Sequence, residues 1–216
     1  MNSKSIVIAG LLTLSASSVY AATTNYSDFT SWSDDISGII ITDTYNGYDF
    51  TGGGNNFVNY GGGTTLGGIT YSTNNGDTLF GINKDWLFDD LYLKSNYLTW
   101  TYGSPNNSLT ISLGSNTKAI GFNFGGYFGN ALPITVTLGN GDMFIANGIS
   151  NAFAFVGAIS DTYFNTLTIS APDYPTLDNL SLGPVVAVPE PESYALFLAG
   201  LGVMGAIARR RRAAQK

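Results

Sequence analysis

The sequence predicts an all-β fold, an antiparallel β-sandwich or jelly roll spanning residues 22–183, and three observations predict it. Apolar and polar residues alternate with a period of two in short segments throughout that stretch, the pattern of strands that turn one face to a core. Runs of Gly, Asn, Asp, Pro and Ser separate these segments, and such residues enter turns at low cost. No stretch of the body carries a sustained helical period of 3.6.

Taken in order, "NGYDFTGGGNNFVNYGGGTTLGG" (46–68) is so rich in Gly and Asn that it reads as long loops over one end of the sandwich. "YLTWTY" puts Leu98, Trp100 and Tyr102 on one face and Thr99 and Thr101 on the other. "SLTISL", "KAIGFNF", "AFAFV" and "NTLTIS" repeat the alternation, as does "ITVTL", with Ile134, Val136 and Leu138 opposite Thr135 and Thr137. The turns are "GSPNN", "GNGD" and "APDYP". Leu138-Gly139-Asn140-Gly141-Asp142-Met143 reads as a hairpin joining "ITVTL" to "MFIA". Strands recurring about every ten residues suit two packed antiparallel sheets, with a closed barrel as the other arrangement. Trp100, Phe122 and Phe155 occupy alternating positions expected in the core.

Composition removes whole classes of chemistry. Residues 22–188 hold 13 Asp, no Glu and three Lys (Lys84, Lys94, Lys118), a formal charge of −10. Such a surface repels phosphate backbones, so nucleic acid is not an expected partner. The chain has no Cys and no His, which excludes disulfides, thiolate nucleophiles, imidazole bases and the common zinc sites. What remains is Asp chemistry, hydroxyls and hard cations.

Asp178-Asn179 in "TLDNLSLG" is the candidate metal pair, because a carboxylate and an amide carbonyl are oxygen donors of the kind Ca²⁺ prefers. Asp34, Asp43 and Asp49 are candidate partners. The simpler reading, favoured here, is a turn in which Asp178 and Asn179 bond backbone amides at a strand entrance. "DTYNGYDF" lacks the acidic spacing and terminal Glu of an EF-hand loop. The adjacent pairs Asp34-Asp35 and Asp89-Asp90 invite a glycosidase reading, but neighbours on a strand point to opposite faces, so neither pair forms a dyad alone. Among aromatics in loops, Trp32, Trp86, Tyr48, Tyr60 and Tyr127 can offer flat faces to sugar rings.

The two ends differ from the body. Residues 1–21 join Lys4, an apolar run from Ile6 to Leu14 and small residues before Ala21, the three-part pattern of a secretory signal peptide cleaved after Ala21. At the other end, a linker (184–193) contains Val188-Pro189-Glu190-Pro191. The apolar segment 194–208 and a basic tail (209–216) follow, opening with Arg209, Arg210, Arg211 and Arg212. As a helix, 194–208 spans about 22 Å, short of a hydrocarbon core of about 30 Å. Arginine side chains that reach the headgroups make it a marginal single-pass anchor with the tail inside and the body outside.

The Pro-Glu-Pro element, the short hydrophobic segment "LAGLGVMGAIA" and the terminal Arg cluster resemble, in order and spacing, the PEP-CTERM sorting signal of Gram-negative bacteria. The resemblance covers about the last 29 residues. It implies recognition by exosortase, transient residence in the inner membrane, removal of the tail and delivery to the cell surface or the extracellular polysaccharide matrix. "AIGFNFGG", "VTLGNGD", "AFAFVGAIS" and "LTIS…LDNLSLG" are also similar to the bodies of many such proteins, which implies a lectin-like sandwich. The expected function is that of an exported, non-enzymatic structural or adhesive protein. A calcium-assisted carbohydrate-binding module and an Asp-based glycoside hydrolase are the alternatives.

Overall fold

The computed structural model describes residues 23–52, 56–74, 76–86, 95–100 and 108–184. Segment 1–21, Asp89-Asp90, Thr101, Tyr102, the "GSPNN" turn and the chain from 185 onward lie outside the described residues. Among the described residues twelve strands and one short helix follow in the order β1 (Thr23–Tyr26), α1 (Phe29–Asp34), β2 (Ile41–Asp43), β3 (Phe57–Asn59), β4 (Gly63–Leu66), β5 (Ile69–Thr73) and β6 (Leu79–Ile82). Next come β7 (Tyr97–Trp100), β8 (Ser108–Gly126), β9 (Pro133–Leu138), β10 (Met143–Asn147), β11 (Ala154–Ser170) and β12 (Pro175–Gly183).

Two strands organise the rest. The sequence reads "SLTISL" and "KAIGFNF" as separate strands, and likewise "AFAFV" and "NTLTIS". The structure fuses each pair into one long strand, β8 and β11. These pair antiparallel in two blocks, Ala154–Ile159 with Ala119–Phe124 and Thr166–Ser170 with Ser108–Ser112, with register shifts around Phe164. Bulges of this kind bend a ladder without ending it, so the double strand passes from one layer of the sandwich into the other.

The first block continues outward through β12 on β8 and β1 on β11, and β12 carries β2 and then β7, β6 and β3. The second block carries β5 and β4 on one side and β9 and β10 on the other. The predicted hairpin joins β9 to β10, with Leu138 N donating to Asp142 O at 2.8 Å.

Period-two alternation sends Leu109, Ile111, Val136, Leu138, Leu167 and Ile169 inward from one layer. Leu98, Trp100, Ile120, Phe122, Phe124 and Leu177 point inward from the other, and all share one core. Trp100 and Phe122 are buried as expected.

Three expectations are corrected. The 46–68 segment is not simply loop: its apolar positions Val58 and Leu66 pack on the core from strands β3 and β4. Gly67-Gly68 turns β4 into β5, with Leu66 opposite Ile69. Phe155 faces away from the core, because its neighbours Ala154 and Val156 take the inward positions. Trp32 is not in a loop. It sits on α1, whose six residues are too few to show a helical period. Asp28 caps this helix by accepting from Ser31 N at 2.9 Å, as an N-cap carboxylate does.

The indole of Trp32 is fully buried against the outer side of β8 and β11 and donates to Ala158 O at 3.4 Å. Gly157 and Gly121 make that approach possible. A Cβ on Gly157 would lie 2.5 Å from Trp32 Cδ1 and 2.7 Å from Cγ, and one on Gly121 3.3 Å from the indole Cε2.

On β12 the pairing with β8 shifts register between Asp178 and Ser181, and Asn179 takes the left-handed conformation at φ 53°, which Asn tolerates better than most residues. Asp178 is buried beneath this bulge. Its Oδ1 accepts from Asn179 N at 2.7 Å and its Oδ2 from Ser95 Oγ and from Asn179 Nδ2 at 3.3 Å. Burial pushes the carboxyl up from 3.8 to about 6, against the lowering effect of Ser95 and the Asn179 amide, with the negative charge of Asp43 adding to the rise.

Two outcomes follow from this packing. Gly157→Ala forces Trp32 off β11 and destabilises the fold by about 1–3 kcal/mol, read by denaturant unfolding together with a red shift of tryptophan emission. For Asp178 the folded value exceeds the unfolded one, so its contribution is fully present below pH 3.8 and is lost as pH rises through about 6. The loss amounts to about 3 kcal/mol. Asp178→Asn therefore flattens the pH dependence of the melting temperature between pH 4 and pH 7, and an unchanged slope would refute the assignment.

Candidate functional site

A cleft of about 280 Å³ opens on the outer face of the layer that holds β3, β6 and β7. Strand alternation builds its floor. Val58, Leu79, Leu98 and Trp100 face the core, so Phe57, Phe80 and Thr99 face outward. Their register places Phe57 opposite Ile82 and Phe80 opposite Thr99. Phe57 meets Phe80 edge to face at 5.9 Å and Trp86 at 4.7 Å.

Trp86 is set by a short turn in which its N donates to Asn83 O at 3.0 Å and Asp85 N donates to Asn83 Oδ1 at 2.9 Å. Asn56 Nδ2 ties the turn to the end of β3 through Asp85 O at 2.6 Å.

The opposite wall comes from two loops. Tyr127 and Phe128 follow β8 and Tyr174 precedes β12; Tyr127 N donates to Tyr174 O at 2.8 Å, joining them. Their rings lie 5.0 to 6.4 Å apart. Phe128 is 55% exposed, at the rim. Burial raises the Tyr127 phenol above its ordinary value, so it is neutral at physiological pH. Among the described residues the lining is therefore uncharged and mostly aromatic, with Ile82 beside the rings and hydroxyls at Thr99, Tyr127 and Tyr174. Thr99 Oγ1 donates to Pro175 O at 2.8 Å. Such a surface accepts the flat apolar face of a ring that carries hydroxyls at its edge.

Of the five loop aromatics singled out from the sequence, Trp86 and Tyr127 meet in this cleft. The other three do not. Tyr48 stacks on Phe50 at 6.1 Å and donates to Asp43 Oδ2 at 2.8 Å, Tyr60 packs edge-on against Phe50, and Trp32 is buried. Sequence reasoning missed Phe57, Phe80, Phe128 and Tyr174. For Phe80 a signal existed, since an aromatic residue stands beside Leu79 where the alternation calls for a polar one.

The carboxylates are distributed differently. Asp43 ends β2 opposite Leu180 and accepts from Tyr45 N at 2.9 Å, close enough to Asp178 to raise its pKa. Asp34 and Asp35 end α1 at the surface, where Asp35 accepts from Tyr26 Oη at 2.7 Å. Asp49 closes a local turn with Thr51 N at 2.9 Å. Among the described residues no three acidic side chains gather as a metal-holding group. Asp178 and Asn179 form a hydrogen-bonded turn in which both Asp178 oxygens accept from protein donors.

Three solved structures are similar in part to the chain. One is the CBM22-1 xylan-binding domain of Paenibacillus barcinonensis Xyn10C, at 18% identity and TM-score 0.38, covering 61% of this chain and 95% of that one. Another is the catalytic domain of a GH87 alpha-1,3-glucanase, at 10% identity and TM-score 0.36, covering 63% and 30%. The third is a variant of CBM29-2, a family 29 carbohydrate-binding module, at 12% identity and TM-score 0.33, covering 68% and 94%. No curated protein matches the chain. Among the described residues no helix is long and apolar enough to cross a membrane, and segment 194–208 lies outside them. Residues 187–212, which hold Pro189-Glu190-Pro191 and all four arginines, match the family model of the PEP-CTERM protein-sorting motif, and the chain is accordingly a protein that carries this sorting motif.

Proposed function

We propose that the protein is exported, cut by an exosortase at its sorting motif and delivered to the cell surface or extracellular matrix, where its sandwich holds polysaccharide without cleaving it. The aromatic cleft carries the binding half of this reading. Rings set at steep angles around a floor of Phe57 and Phe80 offer apolar area that is worth retaining at the surface only if something covers it. Glycoside hydrolysis needs carboxylates on both sides of the bond, whereas among the described residues the lining supplies rings and hydroxyls. The body charge of −10 favours neutral over anionic glycans by simple repulsion.

The sorting half rests on the matched motif. Proline fixes φ and lacks an N–H donor, so the residue types at 189 and 191 suit a substrate that a processing enzyme takes up in extended form.

Two measurements test the two halves separately. Intact mass of protein recovered from its native host gives a species that starts at Ala22 and lacks the segment after Pro191, and a strain without exosortase retains that segment. Persistence of the tail in both strains would remove the sorting half. In affinity electrophoresis through a panel of neutral polysaccharides, at least one retards the wild-type body. Trp86→Ala and Tyr127→Ala weaken that binding tenfold or more, about 1.4 kcal/mol, while circular dichroism shows them folded. Equal retardation of wild type and variants would remove the cleft.

A further inference from the structure

A second cleft, of about 240 Å³, lies between α1, β2 and the outer face of β8, β11 and β12. Its walls differ in chemistry from the first. Phe29, 45% exposed, meets Phe155 edge to face at 5.6 Å and forms the apolar side. Asn123, Asn179, Ser181 and Thr42 form the polar side.

The fold dictates this composition. Phe122 and Phe124 face the core, so Asn123 faces out; Leu180 and Leu182 pack on the core, so Ser181 faces out. The same rule puts Phe155 on that face, directly opposite Asn123 in the ladder. Thr42 Oγ1 and Ser181 Oγ are hydrogen-bonded at 2.8 Å, and Ser181 Oγ donates to Asn179 O at 3.2 Å. Asn179 is held in its left-handed conformation by the turn on Asp178, where its Nδ2 and backbone N both donate. Its backbone carbonyl accepts from Ser181, whereas its side-chain Oδ1 makes no hydrogen bond among the described residues, and Asn179 lines the cleft. Asn123 makes no side-chain hydrogen bond among the described residues. Two amides with open capacity, two hydroxyls and a pair of rings form a set suited to sugar hydroxyls above an apolar ring face.

Both clefts belong to one face of one layer. From Phe80 on β6 to Asn123 on β8 the sheet order is β6, β7, β12, β8. Phe80 is in line with Gly125 through Thr99 and Thr176, so three strand spacings of about 4.8 Å and the two-residue step to Asn123 make that about 16 Å, within the reach of a short oligosaccharide. We propose that the second cleft is a hydrogen-bonding subsite and that one neutral polysaccharide chain crosses the strands and occupies both clefts. This rests on the carbohydrate reading of the aromatic cleft and goes beyond it: the rings of the first cleft supply apolar area, and the amides of the second select the hydroxyl pattern. Asp178 acts here as a positioning residue, through the conformation it imposes on Asn179.

The test is isothermal titration of the body with cello-, laminari-, xylo- and manno-oligosaccharides, from disaccharide to hexasaccharide, with uronate oligosaccharides as the anionic comparison. For at least one neutral series, affinity rises with length well beyond the disaccharide. Asn123→Ala and Phe29→Ala, both at half-buried or exposed positions, abolish that rise and lower hexasaccharide affinity about tenfold, with unchanged melting temperatures as the check on folding. If neutral sugars bind and Trp86→Ala weakens them, but affinity is flat with length and both second-cleft variants behave as wild type, the second subsite falls and the aromatic cleft stands. If no neutral series binds, or the uronates bind more tightly, both fall.

Discussion

The antiparallel pairing of β8 with β11 is the constraint on which the rest of the structure depends. Each strand is long enough to serve both layers, and their shared register, broken only around Phe164, fixes where the sandwich bends. Every other strand is placed by its hydrogen bonds to this pair or to a neighbour already on it. Because side chains alternate strictly along a strand, the register that sends Ile120, Phe122 and Phe124 inward also sends Ala119, Gly121 and Asn123 outward. One set of pairings thus decides the core and the outer face together.

The outer face of the β8–β12 layer is finished in two ways. Over Gly121 and Gly157 the surface is bare enough for Trp32 to lie flat, and the capped helix α1 covers it with an indole. Farther along the same face, aromatic rings project and no described element seals them. The contrast is physical: a small residue beneath lets a large one pack down, whereas adjacent large residues such as Phe57, Phe80 and Trp86 prop one another up at steep angles and leave a cleft between them. The bulge at Asp178–Asn179 works at the border between these regions. An extra residue in β12 turns Asn179 toward the sheet face, and the buried carboxyl of Asp178 anchors that turn at a cost that grows once it ionises.

Charge divides the chain as sharply as structure does. The body is acidic and nearly free of cations, while the arginines lie within the sorting motif. Residues that direct traffic therefore do not overlap with residues that form the clefts, and loss of one set leaves the chemistry of the other in place.

Composition and period-two alternation were enough to determine that the body is all-β, that it lacks imidazole and thiol chemistry and that "ITVTL" and "MFIA" form a hairpin, while the order of the Pro-Glu-Pro, apolar and arginine blocks was legible as a sorting motif through its resemblance to a known family. Each of these is a local property, carried by residues within one or two turns of the chain. The alternation also put Trp100 and Phe122 correctly in the core. Only the tertiary structure decided that four apparent strands are two, that Trp32 is buried, that Phe155 faces out, and that Trp86 and Tyr127 share a cleft with Phe57, Phe80 and Tyr174. Those outcomes depend on register between strands far apart in sequence, and a pattern of period two says that a strand has two faces without saying which partner lies beside it or what covers the face turned away from the core.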